Sequence, residues 1–212
     1  MTAKMIGWVC VFSLLFLVGY SQTGNEGKLI LFNGKIISFQ KARIAGNKIL
    51  YQLSNHTKKD TSVHKKRKID DVFSIEYASG EEKMMYIPDT AFGGELSVNE
   101  MRMFIKGQQD AWVYYHKTMP AIGGFAAGFA GSYFGFYSVL APALYLTAVG
   151  AKTPKIDKLK SVHADIEKNW QNADYVAGFQ KKAKDKNIIN GAKGALLGLI
   201  AGLITFHFVL AK

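Results

Sequence analysis

The 34 consecutive residues from Thr118 to Ala151 contain no Asp, Glu, Lys or Arg, and Gly194 to Ala211 forms a second uncharged run. An uncharged stretch longer than about 18 residues can cross a hydrocarbon core as a helix, because a span needs roughly 20 helical residues. The sequence therefore predicts a first membrane segment at 118–151 and a second at 194–212. Pro142 removes a backbone donor and is expected to break the first. A helix from Ala121 to Leu140 would be about 30 Å long, matching a bilayer, with Ala141 to Gly150 left as a short kinked or re-entrant piece.

Small residues recur four apart in both runs. Gly124 and Gly128 share one such row, Gly131 and Gly135 continue another from Ala127, and Gly194, Gly198 and Gly202 repeat the spacing. In lipid, glycine lets two backbones approach closely, so these positions are candidate helix-packing sites and the two runs are expected to pair as a helical hairpin. Outer-membrane strands are a poor alternative, because they alternate apolar with polar residues and the residues between the aromatics here are Ala and Gly.

Residues 152–193 contain ten Lys against five acids. Ile156, Leu159, Val162 and Ile166 share a helical face, and Asn172 or Asp174 is placed to cap a further helix. The lysine excess beside both spans marks this loop as cytoplasmic. The formal charge of +11 agrees with a chain that meets an acidic surface. Residues 1–21 read as a signal peptide or an uncleaved signal anchor: Lys4 precedes an apolar core from Met5 to Tyr20, and Gly19 and Ser21 supply a small-residue cleavage site. Both readings export the residues that follow, so the first run leads inward, the second outward, and Lys212 lies outside. Cys10 is the only cysteine and falls within that leader, which closes disulfide and thiolate-metal chemistry for the processed chain.

Residues 22–95 read as a small β domain of about five antiparallel strands. Asn33-Gly34 and Ala45-Gly46-Asn47 mark turns, and Ile49, Tyr51 and Leu53 alternate as in a half-buried strand. Asn55 to Lys68 reads as a polar loop, Val72 to Tyr77 and Lys83 to Ile87 as further strands. Residues 96–117 open with a capping box, Ser97 and Glu100, and form a connecting helix expected to run straight into the first uncharged segment. Trp112, Tyr114 and Tyr115 fall where the chain would enter lipid and read as an interfacial belt. The fold class is thus α+β: a small sheet, then a membrane helical hairpin with an amphipathic helical loop.

Catalytic signatures are missing from the sequence. The five histidines are scattered, with no H-E-x-x-H, and neither a phosphate-binding glycine loop nor a nucleophile elbow occurs. The basic cluster ending in Lys65, Lys66, Arg67 and Lys68 lacks interleaved aromatics for stacking bases, so it reads first as a solvated loop and second as a contact for anionic lipid head groups, not as a nucleic-acid site. No cofactor or metal is implied.

Several segments, in order, resemble an uncharacterised family of envelope proteins from Bacteroidota. They are Phe32-Asn33-Gly34-Lys35-Ile36-Ile37, Asn47-Lys48-Ile49-Leu50-Tyr51 and the strand from Asp71 to Gly80, in which Ser79 stands where the family has Asn. Gly107-Gln108-Gln109-Asp110-Ala111-Trp112-Val113-Tyr114-Tyr115 is similar to a G-x-x-D-A-x-x-Y-Y segment. Asn172 to Ala183 is similar to N-x-x-Y-x-x-G-Y-x-x-x-A, with Phe179 replacing Tyr. The resemblance implies an exported β domain joined to a membrane hairpin and transfers no activity. The expected function is a non-enzymatic scaffold or accessory subunit in the inner membrane, with a periplasmic β domain meeting a protein partner through an open edge strand. The alternative is an oligomeric transport or channel component built from glycine-rich helices.

Overall fold

The computed structural model describes residues 26–53, 65–89, 95–154 and 164–210. The signal segment 1–21, Cys10, Lys58 to His64 and the Ile156, Leu159 and Val162 positions lie outside them. The chain divides into two compact units: one holds the strands of Ile36–Tyr86 and the chain up to Ile30, the other holds Leu31–Lys35 and everything from Ile87 onward.

The first unit is a six-stranded antiparallel sheet of order β4-β3-β2-β1-β5-β6. Its strands are β1 (Gly27–Leu31), β2 (Ile36–Ala45), β3 (Lys48–Leu53), β4 (Lys65–Lys68), β5 (Val72–Tyr77) and β6 (Glu82–Met84). Gly34, at φ +78°, makes the β1–β2 turn that Asn33-Gly34 announces. Leu29, Ile37, Phe39, Ile49 and Tyr51 are buried on alternate positions, as a half-buried sheet requires. β5 departs from alternation, being buried continuously from Val72 to Ile75, and Ser74 Oγ has no hydrogen-bond partner among the described residues.

The sixth strand corrects the expectation of a loop reaching Lys68. Lys65–Lys68 pairs with β3, Lys65 opposite Tyr51 and Lys68 opposite Lys48. Lysine is a poor strand former alone, but the ladder offered by β3 overrides local preference. The basic residues thereby form one edge of the sheet, where lysines discourage further strand addition.

The second unit contains α1 (Val98–Tyr114), α2 (Met119–Gly131), α3 (Leu140–Ala151), the short α4 (Ala164–Asn169) and α5 (Ala173–Thr205). The capping box forms as expected: Ser97 accepts from the Glu100 amide, and Glu100 Oε2 accepts from the Ser97 amide at 2.7 Å. Hydrogen bonds to the carboxylate from the Ser97 backbone amide first, and from the Ser97 side chain second, hold the Glu100 carboxyl below its ordinary range. Ser97→Ala is expected to cost about 1 kcal/mol, read as a lower denaturation midpoint for the helical unit. Asn172, rather than Asp174, caps α5, accepting from the Tyr175 amide at 2.9 Å.

Three expectations about the uncharged runs change. α1 does not continue into the first run, because Tyr115 is extended (φ −91°, ψ 110°) and the chain steps before α2 begins. The first run breaks at Phe134 and Gly135, not at Pro142. Gly135 has φ +56°, a left-handed conformation that side chains resist, whereas Pro142 sits in the first turn of α3, where no helical amide is needed. The pieces are therefore short: α2 has 13 residues and α3 has 12, about 20 Å and 18 Å long. Among the described residues, one helix is long and apolar enough to cross a membrane, Ala173–Phe208.

The third change concerns direction. Gly194 lies on the Ala121 carbonyl, Gly198 on that of Phe125, and Gly202 beside that of Phe129. Residue numbers rise together on both helices, so α2 and α5 run parallel and do not form an antiparallel hairpin. The hairpin is α2 with α3: Tyr145 donates to the Pro120 carbonyl at 3.0 Å, and Gly131 lies on the Ser138 carbonyl. The chain descends in α2, turns at residues 132–139 and returns in α3.

Candidate functional site

α5 is the spine of the helical unit, and its buried face carries large side chains with one close-packed glycine in its first half and small residues in its second. Tyr175, Gly178, Phe179, Ala183, Asn187, Gly191, Gly194, Ala195, Gly198 and Gly202 are its buried positions. α1 packs beside the first half of this face and α2 beside the second. A β-carbon at Gly107 would meet the Tyr175 carbonyl, and one at Gly178 the Phe104 carbonyl. The segments Gly107 to Tyr115 and Asn172 to Ala183 are thus packed on each other, backbone against backbone.

Buried polar groups fix the register of this contact. Tyr175 donates to Asp110 Oδ2 at 2.8 Å, and Lys106 pairs with Asp110 Oδ1 at 2.9 Å. At the residue that directly follows α1, the Tyr115 hydroxyl and the Asn187 amide bond reciprocally at 3.2 and 2.9 Å. Burial raises the Tyr115 phenol above its ordinary range, and the Asn187 hydrogen bond works against that shift. Within the same unit, Gln108 Nε2 donates to the Phe32 carbonyl at 2.9 Å, holding the Leu31–Lys35 turn. Each bond answers a group that would be costly to bury alone.

Of the proposed interfacial belt, only part faces outward. Trp112 is 61% exposed and Tyr114 is half-buried, but Tyr115 is 1% exposed in a core with Phe179 and Tyr175. Tyr115 is corrected from a lipid-interface residue to a core residue, because the extended backbone there turns its ring inward against Phe179. Lys182 and Lys186 place their Nζ atoms 4.7 and 5.6 Å from the Trp112 ring centroid. Lys186 also donates to the Trp112 and Ala111 carbonyls, the ends that α1 leaves open.

The glycines separate by role. Gly124 lies on the Gly191 carbonyl and Gly128 on the Ala195 carbonyl, so both meet α5. Gly131 packs against the α2–α3 turn instead, and Gly135, with nothing within 4 Å, is the turn itself; neither belongs to the α2–α5 contact. Gly107, Gly178 and Gly191 went unrecognised as packing positions. Gly107 and Gly191 do stand four residues before Ala111 and Ala195, whereas Gly178 has Asp174 and Lys182 at that spacing and carries no such signal.

Outward, the chemistry is reversed. Ile122, Phe125, Leu144, Leu196, Leu197, Ile200, Leu203, Ile204 and Phe208 are exposed on α2, α3 and the end of α5. Three hydroxyls in this region bond to backbone three or four residues earlier: Ser132 to Phe129, Thr147 to Ala143 and Thr205 to Ala201. At the upper edge of the apolar surface lies a cleft of about 490 Å³, lined by Lys117, Met119, Pro120, Tyr145, Ala148, Val149, Lys152, Thr153, Pro154 and Asn187. Among the described residues no cluster of three His, Cys, Asp or Glu could hold a metal ion. Comparison with protein-family models, curated proteins and solved structures gives no match.

Proposed function

We propose that this chain is a non-enzymatic membrane protein of the cell envelope. α2, α3 and the C-terminal half of α5 seat it in a bilayer, and the β sheet serves a protein partner. The observation that supports the reading is the inverted packing of the uncharged runs. Glycines meet backbone in the interior, while large aliphatic and aromatic side chains face out over three helices. An aqueous protein rarely exposes so extended an apolar surface, but lipid favours it.

In this reading α5 carries the chain through the bilayer, its uncharged residues 194–205 and the helical turn Phe206–Leu210 that continues them covering about 25 Å. The α2–α3 hairpin enters beside it and returns without crossing, since Lys117 and Lys152 line one cleft. The export signal read at 1–21 assigns the sheet to the periplasm and the seat to the inner membrane. β4 presents Lys65, Lys66, Arg67 and Lys68 along an edge, so that edge suits an acidic partner surface or anionic head groups better than an additional basic strand. A channel is disfavoured, because the hydroxyls of Ser132, Thr147 and Thr205 are spent on backbone three or four residues earlier.

Washing membranes from expressing cells with alkaline carbonate tests the seat. The chain is expected to stay in the pellet, and its release to the supernatant would overturn the reading.

A further inference from the structure

The cleft at the polar end of the apolar helices combines features that rarely coincide. Lys117 and Lys152 enter it from the two legs of the α2–α3 hairpin, and Asn187 from α5. Neither lysine has a carboxylate partner among the described residues; the Lys117 ammonium lies 5.5 Å from the centre of the Tyr115 ring. The first residues of α2, Met119 and Pro120, form another wall. That wall offers little hydrogen bonding, because Pro120 has no amide hydrogen and the Ala121 and Ile122 amides already donate to the Thr118 carbonyl. Below the charged rim the lining becomes apolar through Ala148 and Val149, and Ile122 and Leu144 continue outward on the exposed faces of α2 and α3.

We propose that this cleft binds the head group of an anionic phospholipid, with the Lys117 and Lys152 ammonium groups around the phosphate and one acyl chain along α2 and α3. The inference rests on the membrane-seat reading, since an acyl chain reaches the cleft only if those helices lie in lipid. A soluble phosphate would use the lysines but leave the apolar wall bare. A zwitterionic lipid would set its own cation beside two ammonium groups. The site is distinct from the basic strand β4, which offers charge without an apolar wall. Basic pockets at the membrane surface gain up to about a kcal/mol per lysine from anionic lipid, enough for each lysine to change occupancy several-fold.

Native mass spectrometry of the full chain, released from mild detergent, measures this with phosphatidylglycerol, phosphatidylcholine and glycerol 3-phosphate as probes. The wild type is expected to retain phosphatidylglycerol in preference to phosphatidylcholine and to hold no glycerol 3-phosphate. K117Q/K152Q is expected to lower phosphatidylglycerol occupancy roughly tenfold, K117R/K152R to preserve it, and K41Q/K83Q, with the same charge change at exposed positions of β2 and β6, to leave it unchanged. Circular dichroism checks that each variant is folded. Equal loss in K41Q/K83Q, no loss in K117Q/K152Q, or glycerol 3-phosphate bound as well as the lipid would each overturn the proposal. Carbonate extraction is read in parallel: release of the wild type indicts the seat, whereas a retained wild type without lipid preference indicts only the cleft.

Discussion

Gly178→Val is expected to disrupt the helical unit, with a loss of at least about 3 kcal/mol. A β-carbon at Gly178 would stand on the Phe104 carbonyl, and that atom is helix backbone, which cannot swing aside. α1 would have to withdraw from α5, opening the core of Ala111, Tyr115, Tyr175, Phe179 and Ala183. Gly107→Val should act alike from the other helix, against the Tyr175 carbonyl. Thermal unfolding in detergent, followed by helical ellipticity, measures both. Wild-type stability in either variant would mean that the helices do not approach this closely.

Asp110→Ala carries the next largest expected effect, about 2–4 kcal/mol. The substitution strips Tyr175 of its acceptor in the buried contact and releases Lys106 from its ion pair. Asp110→Asn keeps an oxygen within reach of the Tyr175 hydroxyl and should cost less than half as much. Tyr175→Phe in an Asp110→Ala background should add little, since the coupled pair is already broken. Full additivity of the two substitutions would contradict a direct bond.

Much of this was legible in residues that act locally. Ser97 and Glu100 announce α1, Asn172 announces α5, and Asn33-Gly34 announces the first turn, because caps and tight turns depend on neighbours in sequence. β4 was not legible: Lys65 to Lys68 becomes a strand only because β3 offers a ladder. Tyr115 looked like an interfacial ring because its partners, Phe179 and Asn187, are more than sixty residues away. The glycine spacing pointed to close contact between the uncharged runs, and Gly124, Gly128, Gly194 and Gly198 do meet backbone across it. Spacing is identical for parallel and antiparallel helices, however, so it carried no information on direction. Direction is set at Gly135, whose positive φ returns the chain, and a lone glycine among many does not advertise that.

The side on which Lys152 emerges tests the central claim most directly. A first run that crosses the bilayer once would put Lys117 and Lys152 on opposite faces. A hairpin that enters and returns puts them together, as their shared cleft requires. With Cys10 replaced, K117C and K152C can each be labelled by a membrane-impermeant maleimide in cells with a permeabilised outer membrane. Both cysteines are predicted to label from the same side of the inner membrane. Labelling of Lys117→Cys from the periplasm with Lys152→Cys reached only after lysis would contradict the account.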